Sequence, residues 1–369
     1  MSESLYVAVT GYYSTGSSAL IDLLKEYDEV AIASPVRGDY EHMAFFSYGA
    51  LYDLSAILMS PSCSVYNSDM AINGFINAAK RLNDNDFGWF GTYKKYYGDS
   101  FMEITMRFVE AISKKKERRS AAHIEKVRFS FVKAALQLVA KVCYKRPITK
   151  LGRKYVYDAN CGYYSMPSKE MFCEAAKRYT KDYMEMCAKE ARINVFDHLV
   201  WPQQSNSITD FMPDNFKVIV LDRDPRDVYL LNKYYWHKPP VSTAKPYYPT
   251  DCKEFCEEWK NTIQKRQSTE NVLYLHFEDM IYRYDETVAR VEAFLGLDEK
   301  KHVKKKTTFR PESSIENTQV YLVNKDWKEE VKLMDDSISE YFYDFPYERI
   351  PDRKLWFDTE LQLVGKKTK

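Results

Sequence analysis

The sequence predicts an α/β fold: a doubly wound parallel sheet with an anion-holding loop after its first strand and a large helical insertion. Three observations predict it. Short apolar runs of strand length, Leu5–Thr10, Lys217–Asp222 and Val272–Phe277, have the continuous Val/Ile/Leu character of strands buried on both faces. Helix-period patterns alternate with them, as in βαβ units. The first two runs also stop abruptly at residues able to hold an anion, and open α/β sheets bind ligands outside the carboxyl ends of their strands.

Taken in order, a strand over 5–10, a loop over 11–16 and a helix over 17–27 form the first βα unit, the helix marked by Leu20, Leu23, Leu24 and Tyr27. Residues 40–190 read as a helix-rich, Tyr-rich insertion with Gly/Asn/Asp punctuation near 83–99. Asn194–His198 reads as a short strand, with Pro202 shortly after it. A helix over 285–295 ends at Gly296, a suitable residue for a left-handed cap. Residues 1–369 are expected to form a single domain, with residues 300–369 supplying a covering loop and a surface tail.

At 369 residues and 45% hydrophobic content the chain can bury a sizeable core. No apolar run approaches the roughly 18 residues that would suggest a membrane span, and the N-terminus has no secretory pattern. Seven cysteines, an odd number without a CxxC pair, fit a reducing cytoplasm. The net charge of +1 hides an asymmetry: residues 113–154 hold fourteen Lys/Arg against two Glu. In that segment Val127, Phe131, Ala134, Leu138 and Val142 predict one face of a helix closed by Pro147. Its expected partner is an anionic glycan or the inner face of a membrane, with a merely solvated helix as the plain alternative. No nucleic-acid motif accompanies the charge.

Gly11 and Gly16 bracket Tyr12, Tyr13, Ser14 and Thr15, and Ser17 and Ser18 open the following helix. Free N–H groups and hydroxyls at such a helix start suit phosphate or sulfate. The spacing matches the nucleotide-binding G-x-x-x-x-G-K-[ST] loop, but Ser17 stands where the phosphate-binding Lys belongs, so triphosphate chemistry loses its cation. Arg223-Asp224-Pro225-Arg226 follows the second run and offers a separate anion site.

These segments resemble the sulfotransferases that use 3′-phosphoadenosine-5′-phosphosulfate (PAPS). Gly16-Ser-Ser-Ala-Leu20 is similar to the family's 5′-phosphosulfate loop, and Arg223-Asp-Pro-Arg-Asp-Val to its 3′-phosphate motif. Leu273–Met280 with Phe294–Leu297 is similar to its strand–helix unit, and Phe309-Arg310-Pro-Glu with Asn317 to its cofactor-covering loop. Together they cover about 1–40 and 194–330, with the Ser-rich loop nearest to bacterial carbohydrate sulfotransferases. Two positions depart from the family: Ser14 replaces a cation that faces the leaving oxygen, and Leu231, with Asn232 beside it, replaces a Ser that helps bind the 3′-phosphate.

The resemblance implies PAPS as co-substrate, no metal, and a hydroxyl acceptor on a carbohydrate or glycolipid. The implied cofactor residues are Gly11–Ser18, Arg223, Asn232 and Arg310, with Arg37 or Lys238 standing in for the missing cation. The expected general base is Glu41, by its distance from the loop; Asp39 and His42 are neighbours of it, and His198 is a rival from another strand. A P-loop kinase and an inactive nucleotide- or glycan-binding protein are the alternatives.

Overall fold

Val7, Val9, Val195, Ile219 and Leu221 are fully buried, because the strands that carry them are covered on both faces. They belong to a five-stranded, all-parallel sheet in the computed structural model, which describes residues 4–12, 14–36, 40–47, 49–117, 124–157, 162–236, 249–263 and 269–352. Its strands are β1 (Leu5–Gly11), β2 (Val30–Ile32), β3 (Ile193–Asp197), β4 (Phe216–Asp222) and β5 (Val272–His276), in the order β2-β3-β1-β4-β5. The register sets Leu5 beside Ile193 and Tyr6 beside Phe216. After β1 the chain moves outward to β2; after β3 it crosses β1 to reach β4. The connections therefore diverge at the β1–β3 pair, where a crevice opens at the carboxyl ends.

The sheet lies in the first of two compact units, residues 1–43 with 187–369; the second comprises 44–186. The helix after β1 runs Ser17–Leu24, shorter than the expected 17–27. Beyond it the backbone tightens, Glu26 N–H donating to the Leu23 carbonyl and Tyr27 N–H to the Leu24 carbonyl, while the Glu26 carboxylate accepts from the backbone N–H groups of Lys306, Thr308 and Phe309. The helix Tyr284–Leu295 ends at Gly296 with φ of 62°, as the sequence predicts.

The second unit packs the helices Leu51–Leu58, Val65–Asp84 and Ser100–Ile112 with most of Lys169–Cys187. Phe75, Phe108, Tyr179 and Tyr183 form an aromatic core there, mostly edge to face. The basic segment corrects its expected form. Ile124–Phe129 is a strand paired antiparallel with Arg153–Tyr157, so Val127 leaves the helix, which spans Phe131–Tyr144. Val127-Arg128-Phe129 alternates with period two, the register shifts between Ile124 and Lys126, and Ser130 caps the helix by accepting from Lys133 N–H. Lys145, at φ 50°, ends it two residues before Pro147.

Candidate functional site

The loop after β1 closes on itself tightly. A Cβ at Gly11 would lie 2.1 Å from Thr15 Oγ1 and 2.9 Å from the Leu221 carbonyl oxygen, so only glycine fits beside β4. Gly16 has φ of 85°, and a Cβ there would meet the Phe277 ring at 3.0 Å. Ser17 is buried at the first turn of the helix and Ser18 is exposed. Tyr13 lies outside the described residues. Ser14 holds a left-handed φ of 50°, and its hydroxyl donates to Asn232 Oδ1 at 2.9 Å. That proton is therefore already committed, and the neutral Ser14 does not replace the cation of the family pattern.

Arg223 leaves the end of β4 only 5% exposed. Its Nη1 donates to the Ser14 carbonyl at 3.2 Å, its Nη2 donates to the Asn317 carbonyl, and the guanidinium lies 5.1 Å from the Phe277 ring centre. One side chain thus ties the loop after β1 to the C-terminal segment. Among the described residues its Nε has no hydrogen-bond partner, nor has Nδ2 of the buried Asn232. Asn232 opens a π-helical stretch, Asn232–Trp236, directly after the helix Pro225–Leu231. Arg226, the other Arg of the motif, is structural: it pairs with Asp224 at 2.7 Å and is sandwiched between Tyr321 and Phe342.

Two buried carboxyls beside Arg223 are held partly neutral. Burial pushes Glu278 up to about 8, helped by the charge of Asp224 and opposed by Arg223. Burial likewise pushes Asp227 up to about 7, with Arg223 opposing and Asp224 reinforcing. Arg223 therefore keeps more of its positive field than the three neighbouring carboxyl side chains, Asp224, Asp227 and Glu278, would suggest.

A cavity of about 340 Å³ opens on these groups, lined by Gly16, Arg223, Phe277, Phe309, Arg310 and Asn317 among others. Arg310 is exposed at its edge. Glu26 fixes the covering segment: besides its three backbone donors it accepts from His302 Nε2 at 2.8 Å, while Tyr27 stacks on His302 at 4.2 Å. Lys304, Lys305 and Lys306 pair with Asp28, Asp285 and Glu312 on the surface.

At the end of β3, His198 takes a left-handed φ of 48° and its backbone N–H donates to the Val9 carbonyl at 2.9 Å. Nδ1 lies 2.6 Å from Asp197 Oδ1; since an ionised carboxylate only accepts, Nδ1 carries the proton and Nε2 is left as the basic nitrogen. Burial lowers the affinity of His198 for a proton, but Asp197 and the charge of Glu41 outweigh it, and the net shift is upward. The two rival bases, Glu41 and His198, thus share one electrostatic neighbourhood. His42 drops out as an alternative: it is buried, its Nε2 meets the Ala33 carbonyl at 2.6 Å, and burial pushes it down to about 4. Asp39, Arg37 and Lys238 lie outside the described residues.

Comparison with known proteins decides the family. The sulfotransferase domain profile matches residues 103–348, two thirds of the chain. The chain belongs to the sulfotransferase family.

No curated protein matches the sequence. Among solved structures, the chain is similar to the sulfotransferase domain of the curacin biosynthetic pathway, at 11% identity and TM-score 0.32 over 97% of both chains. It is also similar to sulfotransferase STF9 from Mycobacterium avium, at 11% identity and TM-score 0.38 over 94% of this chain and 78% of that one. Mouse sulfotransferase SULT7A1, complexed with PAP, aligns at 15% identity and TM-score 0.29 over 57% of this chain and 82% of that one. The enzyme is a PAPS-dependent sulfotransferase, and the family assignment removes the kinase alternative.

The residues present fit that co-substrate. The unpartnered donors, Arg223 Nε and Asn232 Nδ2, are of the type an anionic oxygen satisfies, and two glycines leave the loop backbone bare beside them. Sequence reasoning missed Glu26, Asp227 and Glu278. Glu278 sat inside a quoted motif, and the only signal for Glu26 was a carboxylate amid the apolar pattern of the first helix.

Proposed function

We propose that the enzyme moves the sulfuryl group of PAPS to a hydroxyl of a carbohydrate or glycolipid. The observation that carries this reading is Arg223, whose guanidinium joins the Ser14 and Asn317 carbonyls while leaving Nε for an anion in the cavity. In this reading Gly11–Ser18 holds the 5′ end, and Arg223, Asn232 and Arg310 hold the 3′-phosphate. When bound, PAPS supplies an electrophilic sulfur and a phosphate leaving group.

The chain supplies position and a proton acceptor. Glu41, with His198 oriented by Asp197, takes the proton of the acceptor hydroxyl, which ionises far above neutrality. The left-handed backbone of His198 supports a functional role, because strain of this kind collects at active sites. The acceptor class is supported by the Ser-rich loop, with its resemblance to bacterial carbohydrate sulfotransferases. Six unbridged cysteines among the described residues support a reducing, cytoplasmic setting. No helix of the described residues is long and apolar enough to cross a membrane.

Thermal unfolding with PAP, with ATP plus Mg²⁺, and without ligand tests the site. PAP at 100 times its dissociation constant stabilises the fold by about 2.7 kcal/mol, and ATP does not. A screen of hydroxyl-bearing glycans with labelled PAPS then tests the acceptor. PAP binding without transfer to any glycan or glycolipid would rule out the acceptor class and leave the nucleotide site standing.

A further inference from the structure

The helix Phe131–Tyr144 is amphipathic, and its apolar side faces solvent. Phe131 is 83% exposed, Val142 81%, Val132 71% and Leu136 64%, while Ala134 is its only buried residue. At 100° per residue, Leu138, Phe131, Val142, Val139, Val132 and Leu136 share an arc of about 160°. The opposite side is the one that packs. Gln137 Oε1 accepts from Gly152 N–H at 2.7 Å, and Lys133 Nζ lies 5.7 Å from the Tyr155 ring centre. An ordinary surface helix does the reverse. Phe129, 58% exposed, meets Phe131 edge to face at 5.0 Å and extends the apolar patch onto the hairpin.

The surroundings are cationic. Exposed Arg128, Lys141, Lys145, Arg146, Lys150 and Lys154 lie on the same helix and hairpin. No Asp or Glu occurs between residues 126 and 157. The helix, with 14 residues, is about 21 Å long, short of the ~30 Å hydrocarbon core, so it does not span a bilayer. A soluble polyanion would use the charge but leave the apolar arc in water. An anionic lipid surface uses both.

We propose that this helix docks the enzyme on an anionic bilayer, lying in the interface plane with its apolar arc at the headgroup–acyl boundary. The flanking Lys and Arg side chains reach the lipid phosphates. This inference rests on the exposed face and not on the acceptor.

The test is co-sedimentation of the full chain with phosphatidylcholine vesicles, with and without about 30% phosphatidylglycerol. Binding is expected only with the anionic vesicles, and it weakens as salt is raised. The double variant Val139→Glu/Val142→Glu is expected to lower partitioning about 30-fold. Both substituted residues are exposed, and an unchanged PAP-induced rise in Tm shows that the variant is folded. Wild-type protein that stays in solution with anionic vesicles overturns the proposal, as does a folded double variant that binds equally well. An oligomer in gel filtration that the variant dissolves, without vesicle binding, assigns the face to a second copy instead. Retention on heparin without vesicle binding overturns it in favour of a soluble polyanion.

Discussion

The carboxyl ends of β4 and β3 flank the end of β1, and they treat charge in opposite ways. At β4, Arg223 is almost fully buried and burial raises the pKa of Asp227 and Glu278, holding them partly neutral, so among the described residues a fixed cation is left with an unused donor. At β3, Asp197 and Glu41 raise the proton affinity of His198, whose side chain is 18% exposed. The first arrangement suits holding an anion whose charge does not change. The second suits a proton that moves. A binding end and a proton-transfer end on one sheet make different demands on the same residue types, and substitutions separate them.

The largest effect is expected at the proton-transfer end. Glu41→Gln keeps the shape and removes the charge, so turnover should fall about 10²–10⁴-fold while PAP affinity by calorimetry stays unchanged. The same variant should lower the pKa of His198 in an NMR titration, because one of the charges that raises it is gone. If Glu41→Gln keeps more than about a tenth of wild-type activity while His198→Ala loses it, the base is His198. In that case activity rises with pH through a value above 6.5, as the imidazole gives up its proton.

At the binding end, Arg223→Ala removes charge-assisted hydrogen bonds worth ~2–3 kcal/mol and should weaken PAP about 100-fold. Adenosine 5′-phosphosulfate, which lacks the 3′-phosphate, should bind nearly as before. Equal losses for both ligands would make Arg223 a structural link between Ser14 and Asn317 and not a phosphate ligand.

How much of this contrast is legible in the sequence depends on the kind of interaction. Four of the five strands, the loop between Gly11 and Gly16 and the motif at Arg223 are local patterns that appear within a residue or two of where they were expected, whereas β2, only three residues long, gives no such signal. The hairpin at 124–129 was hidden because a basic, apolar-rich stretch satisfies a helical period and a strand period alike until Ser130 is recognised as a cap. Glu26 was invisible for a different reason. Its three backbone partners come from residues 306–309, and nothing in a local pattern records a contact of that sequence separation. His42 looked like a base candidate because a sequence does not reveal the burial that lowers its pKa.

Glu26 gives a smaller test of the binding end. Glu26→Gln turns one acceptor oxygen into a donor facing backbone N–H groups, loosening the segment that carries Phe309 and Arg310 along the cavity. PAP affinity should fall about tenfold, roughly the value of one hydrogen bond to a charged group. Faster proteolysis within residues 302–317 should accompany it. A lower Tm with unchanged PAP affinity would mean that the anchor supports the fold without shaping the site.

The last test concerns the pH dependence of stability, and it asks whether the carboxyls beside Arg223 are neutral. Glu278 has a folded pKa of about 8, raised from 4.5. Between those values the folded state holds a proton that the unfolded state has released. Stability linked to this group is therefore fully present below pH 4.5 and is lost as pH rises toward 8, at up to about 1.4 kcal/mol per pH unit. Asp227 adds a loss of the same sign, ending near 7. Gln at 278 still offers an oxygen to the Asp224 N–H, the bond that Glu278 Oε1 makes at 2.9 Å, but it cannot ionise. Chemical denaturation of Glu278→Gln between pH 5 and 8 should then give a flatter stability curve than wild type, the two converging at the acid end. Parallel curves would mean that Glu278 is already ionised at neutral pH. Its charge would then offset Arg223, and the contrast between a fixed cation at β4 and a proton-sharing cluster at β3 would collapse.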